Sequence, residues 1–77
     1  MKRFFFDLVG EFPAHDFLGH QCISRKEAKE HAQFIAHRIG TEKPSFAKSG
    51  NYILVRDEEG AEIYEAPIRA RQANALS

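Results

Sequence analysis

The segment Ser24-Arg25-Lys26-Glu27-Ala28-Lys29-Glu30-His31-Ala32-Gln33-Phe34-Ile35-Ala36-His37-Arg38-Ile39-Gly40 has the signature of one amphipathic helix. Ser24 and Glu27 form a capping box, in which each side chain can bond the free backbone N–H at the other position, so the helix is predicted to start there. Ala28, Ala32, Ile35, Ala36 and Ile39 recur at helical spacing and share one stripe. A stripe made of Ala and Ile is low in profile, which lets the helix lie close to a sheet. Gly40 is the expected C-terminal cap. Lys29, Glu30, Gln33 and His37 occupy the opposite side, and Phe34 stands among them, away from the apolar stripe.

Strand signals flank this helix on both sides. Phe4 to Val9 reads as a first strand, with Phe4, Phe6 and Leu8 on one face and Phe5, Asp7 and Val9 on the other. A second, shorter strand is expected to include Phe12 or to resume at His15 to Phe17, at an edge because of Pro13. Asp16-Phe17-Leu18-Gly19 has the composition of a β-turn. After a connecting loop over Thr41 to Asn51, Tyr52 to Arg56 and Ala61 to Ala66 form a hairpin around Asp57-Glu58-Glu59-Gly60. The predicted fold is a single α+β domain over residues 1–68, one amphipathic helix on a small antiparallel sheet in the order ββαββ. Residues 69–77 are expected to be a frayed tail.

Composition narrows the class of protein. A chain of 77 residues holds one domain with a modest core, since a chain this short buries only about 60% of the surface exposed when unfolded. Its hydrophobic fraction of 43% and charged fraction of 29% are those of a globular protein, and seven Phe supply core volume in the absence of Trp. The formal net charge is zero, so the molecule as a whole lacks the electrostatic footprint of a nucleic-acid or membrane binder. A single cysteine, Cys22, forbids an internal disulfide and suits a soluble cytoplasmic protein. Asp7 and Glu11 interrupt the apolar run that a signal peptide would need, and no segment approaches a membrane span.

Candidate sites are few. His15, Asp16, His20 and Cys22 form the one cluster with metal-ligand or thiol chemistry, but they match no strong spacing motif, and no metal or cofactor is expected. Lys48-Ser49-Gly50-Asn51 lacks the repeated glycines of a phosphate loop. Arg25, Lys26, Lys29 and Arg38 give the helix a basic excess that could touch nucleic-acid phosphates, with Lys43 and Lys48 nearby, although the acidic residues Asp57, Glu58, Glu59, Glu62 and Glu65 oppose it. One helix covers one face of the sheet. Phe5, Tyr52, Leu54 and Tyr64 are expected on the reverse face, with Val9, and Phe34 on the outer side of the helix; these are the interface candidates. Two occupants fit the reverse face: a second copy of the chain, or its own tail and long loop.

Arg3-Phe4-Phe5-Phe6-Asp7-Leu8, Asp16-x-x-Gly19, the Ala-rich helix from Ser24 and Val55-Arg56-Asp57-Glu58-Glu59-Gly60 together resemble a family of short uncharacterised proteins of soil alphaproteobacteria. The resemblance spans nearly the whole chain up to the tail. It implies no activity that can be carried to these positions. Where such proteins usually carry an acidic residue beside the first turn glycine, this chain has Leu18. The expected role is therefore that of a small non-catalytic interaction or accessory module, self-associating as a homodimer through an apolar sheet face or edge, with no membrane role. Nucleic-acid binding through the helix is the alternative.

Overall fold

The structure, a computed structural model, describes residues 1–47 and 50–69. Strand β1 (Lys2–Val9), strand β2 (His20–Cys22), helix α1 (Arg25–Glu42), strand β3 (Tyr52–Arg56) and strand β4 (Glu62–Pro67) follow in the expected ββαββ order, with a short 3-10 turn at Pro44–Ala47. The sheet order is β2-β1-β3-β4 and all three pairings are antiparallel, which makes β1 and β3 central and leaves β2 and β4 as edges. Among the described residues no helix is long and apolar enough to cross a membrane.

The helix starts where its capping box predicts. Ser24 Oγ accepts the Glu27 N–H at 3.2 Å as expected, whereas Glu27 Oε1 reaches one residue further back than Ser24 and accepts the Ile23 N–H at 2.8 Å. Ala28, Ala32 and Ala36 are buried and Ile35 and Ile39 pack beside them, against Phe4, Ile53, Val55, Ala66 and Ile68. Methyl-sized side chains let α1 settle onto the centre of the sheet, so the bulk of the core comes from the strands.

Four sequence expectations are corrected. Gly40 is not the cap: α1 runs on to Glu42, and the Lys43 N–H closes it by donating to the Ile39 carbonyl at 2.7 Å. Gly40 is instead a packing glycine, because a Cβ there would overlap the carbonyl oxygen of Arg69. Tyr64 does not lie on the reverse face. The β3–β4 register shifts between Val55 and Arg56, so that Val55 faces Tyr64 while Arg56 faces Glu62. This irregularity breaks strict alternation. Ile63 and Tyr64 both pack against the helix side of the core, and the Tyr64 hydroxyl accepts from Gln33 Nε2 at 2.8 Å.

The second strand lies later than predicted, at His20–Cys22, with Ala14 alone bridging Leu8 upstream of it. Between these points the Asp16 carboxylate takes the Phe6 N–H at 3.1 Å, replacing the carbonyl of a strand neighbour. The returning strand of the hairpin also begins one residue late, at Glu62, because Asp57 Oδ1 gathers the N–H groups of Glu59 and Ala61, each at 2.9 Å, and holds Ala61 in the turn. Ile68 is buried and its N–H donates to the Asn51 carbonyl at 3.0 Å. Of the expected tail, Arg69 packs against Gly40, while residues 70–77 lie outside the described residues, as do Lys48 and Ser49.

Gly40→Ala separates packing from propensity. Alanine is the better helix former, yet its methyl group must displace the Arg69 backbone, and the expected net result is a loss of about 1–2 kcal/mol. Urea unfolding measures this, and a more stable variant would refute the close contact.

Candidate functional site

Phe4, Phe6 and Leu8 face the helix, so alternation sends Phe5, Asp7 and Val9 to the reverse face of β1. Asp7 is the unusual member of that set, a carboxylate in a central strand that is only 7% exposed. Arg56, on β3, meets it in a two-pronged ion pair, Nε to Oδ2 at 2.7 Å and a terminal nitrogen to Oδ1 at 3.2 Å. The Asp16 N–H donates to Oδ1 at 2.9 Å, and His15 Nδ1 lies 3.3 Å from the same oxygen. A terminal nitrogen of Arg56 is 3.2 Å from His15 Nε2; a guanidinium only donates, so this nitrogen accepts. The guanidinium also lies 5.2 Å from the centre of the Phe5 ring.

Asp16 continues the chain of bonds. Its Oδ2 takes the Phe6 N–H, and its Oδ1 takes the N–H groups of Leu18 and Gly19 at 3.1 and 3.0 Å. Gly19 has a φ of +73°, and a Cβ there would crowd Arg3 and the Phe4 carbonyl, so the turn back into β2 requires glycine. Asn51 performs the matching task at the start of the loop: its Oδ1 accepts the Glu11 N–H at 2.7 Å and its Nδ2 donates to the Phe46 carbonyl at 2.8 Å. The loop over residues 10–19 is thus tied at both ends and in the middle. Burial pushes the Asp7 and Asp16 carboxyls upward, but for Asp7 the bonds from Arg56 and the Asp16 amide, and for Asp16 three backbone N–H groups, outweigh it and hold both below the ordinary 3.8.

The tied loop carries apolar side chains outward. Phe17 and Leu18 are 82% and 83% exposed. Phe17 meets only the edge of the His15 ring among aromatic partners, at 4.8 Å, and the Leu18 carbonyl accepts from Arg3 at 2.8 Å. Arg3 pairs with Gln21 and Lys2 with Cys22; the same register carried one residue further sets Met1 against Ile23, both largely exposed. Phe17 and Leu18 just before β2, and Ile23 with Met1 just after it, therefore leave exposed apolar side chains at both ends of this edge strand.

Of the interface candidates from sequence, Phe5, Tyr52 and Leu54 fall on the reverse face as expected, since Tyr52 pairs with Val9 and Leu54 with Asp7. Leu54 is buried, Phe5 and Tyr52 are half-buried, and Tyr64 is on the helix side. Phe34 is 56% exposed on the outer face of α1, 6.0 Å beneath Arg38 and 6.3 Å from the His31 ring, while Phe46 stacks on Phe12 at 5.4 Å. Composition carried one signal for the missed residues, two bulky apolar side chains inside the turn Asp16-Phe17-Leu18-Gly19. The metal-type cluster is divided by the sheet: His15 and Asp16 belong to the reverse face, whereas His20 and Cys22 face the helix side. Burial and the Glu27 charge push the Cys22 thiol up, away from the reactive thiolate. Among the described residues no three His, Cys, Asp or Glu side chains converge as metal ligands.

The basic residues of the helix fall into two sets: Arg25, Lys26 and Lys29 lie within about 100° of one another around α1, and Arg38 lies apart. Arg38 is paired with Glu42 at 3.1 Å, Lys29 lies 5.7 Å from the centre of the Tyr64 ring, and the Arg25 charge acts on Asp57. At 100° per residue, Lys29 and Arg38 point to opposite sides of α1.

Removing the Asp7 charge leaves Arg56 without its counter-ion in a largely covered site. Asp7→Asn is expected to cost about 2–3 kcal/mol, read by urea unfolding. Because the folded-state values of Asp7 and Asp16 are lowered, their stabilisation is complete above the ordinary 3.8 and is lost as pH falls below it. An acid titration followed by circular dichroism should show this loss in the wild type and a shallower one in Asp7→Asn.

Comparison with known proteins bears on kinship alone. Neither the curated proteins nor the solved structures give a match. Residues 3–69 match the family described as a domain of unknown function, DUF6894, and this span takes in β1 from its second residue, β2 to β4, α1, the tied loop and the Gly40–Arg69 contact. The chain belongs to the DUF6894 family, an uncharacterised family of small domains.

Proposed function

We propose that this domain is a non-catalytic interaction module that pairs with a second copy of itself along the β2 edge. The observation that carries the reading is the exposure of Phe17 and Leu18 on a loop whose backbone is fastened by Asp7, Asp16 and Asn51. Apolar anchors held in place before binding lose little conformational freedom when they bind, so they contribute more affinity than anchors on a slack loop. The polar groups beneath them are already spent on internal bonds, which suits a support better than a reacting centre.

The two sheet edges differ in a way that favours a second copy at β2. β4 carries Glu62, Glu65 and Pro67, and charge and proline both discourage edge pairing. β2 carries His20, Gln21 and Cys22 and is flanked by Leu18 and Ile23. A two-fold axis beside β2 brings the same apolar row from each copy together, and with zero net charge the chain as a whole does not repel its copy. The kinship with short proteins of soil alphaproteobacteria belongs to the same proposal, and a bacterial cytoplasm suits a single buried, unpaired cysteine.

Size-exclusion chromatography with light scattering, from micromolar to millimolar protein, tests this. The wild type is expected at twice the mass of one chain, Phe17→Ser/Leu18→Ser at the mass of one chain with an unchanged circular dichroism spectrum, and Phe34→Ser as a dimer. A wild type that remains a single chain throughout overturns the proposal. So does a dimer that survives the double substitution.

A further inference from the structure

On the helix side of the same edge, His20 of β2 and His31 of α1 stack face to face, with ring centres 4.2 Å apart and planes within 7°. Phe6 of β1 closes the stack edge-on, 4.9 Å from His31 and 6.5 Å from His20, and Phe34 lies 6.3 Å from His31 on its other side. The two histidines come from elements joined mainly by this end of the fold, since α1 rests chiefly on β3 and β4. Cys22, the one thiol of the chain, is fully buried two residues beyond His20.

We propose that the His20–His31 stack is an acid-sensitive latch that fastens the edge strand β2 to α1 and, when protonated, releases it and uncovers Cys22. Two neutral imidazoles stack favourably, whereas two imidazolium rings at this separation repel, and a charge on the half-buried His31, whose ring meets Phe6 at 4.9 Å and Phe34 at 6.3 Å, is less well solvated than in the unfolded chain. The other ionisable groups of the groove are Glu27 and Glu30 of α1, the Met1 amine at the start of β1 and the Cys22 thiol of β2. Glu27 favours a protonated His31, but its carboxylate is held by the Ile23 N–H, and burial followed by the His20 charge outweighs it, so His31 titrates below its ordinary 6.5. A lowered histidine value gives stability that is complete above 6.5 and is lost as pH falls below it. The window is the one in which an ordinary histidine changes charge.

Thiol labelling of Cys22 reads the latch directly, because no other cysteine competes. The labelling rate is divided by that of the urea-unfolded chain at the same pH, which removes the intrinsic ionisation of the thiol. In the wild type this protection is expected to fall about tenfold between about pH 7.5 and about pH 5. In His20→Gln and His31→Gln the fall should be less than about twofold. Nuclear magnetic resonance titration of the wild-type histidine rings needs no variant and should put the His31 midpoint below 6.5. A similar fall of protection in wild type and variants overturns the latch, and so does a His31 midpoint at or above 6.5.

Discussion

The buried Asp7 carboxylate is the constraint around which the reverse side of this domain is organised. A lone charge in that position would be far too costly to bury, and it is tolerated because Arg56, His15 and the Asp16 amide surround it. Its requirement for donors draws the loop over residues 10–19 onto the sheet. Once Asp16 is there, its own carboxylate serves three backbone N–H groups, one of them the Phe6 N–H that lacks a strand partner. Two acidic residues thus do the work of a missing stretch of edge strand.

The two faces of the sheet are consequently finished by different physics. The helix side is closed by shape, with an alanine stripe, bulky strand residues and a glycine pressed against Arg69. The reverse side, at β1, is closed by a charged, hydrogen-bonded loop. Among the described residues no buried side-chain nitrogen or oxygen lacks a partner. A loop fixed in this manner can hold Phe17 and Leu18 in the open, whereas an unfastened loop would fold such side chains inward.

Much of the architecture was legible in the chain because it depends on local chemistry. The Ser24–Glu27 box marks the helix start, the Ala and Ile spacing marks its buried face, and Asp57 to Gly60 marks the hairpin. Several of the residues on which the resemblance rests make structural contacts: Asp7 and Arg56 pair, Asp16 and Gly19 shape the loop, and Asp57 and Gly60 shape the final turn. The errors have a common cause. Gly40 has the composition of a cap, but whether a glycine ends a helix or admits another backbone depends on Arg69, 29 positions away. Tyr64 has the parity of the reverse face, and one shift of register undoes that parity.

By itself the sequence determined the α+β class, the helix and its buried stripe, the hairpin and the order of the elements, because capping, periodicity and turn chemistry act within a few residues. Tertiary structure alone decided that the loop after β1 is tied across the reverse face, that Phe17 and Leu18 stand exposed there, and that His20 meets His31. These outcomes join residues from different elements: Asp7 with Arg56, 49 positions apart, and β2 with α1. Such pairings follow from the register of the sheet and the placement of the helix upon it, which no local pattern encodes.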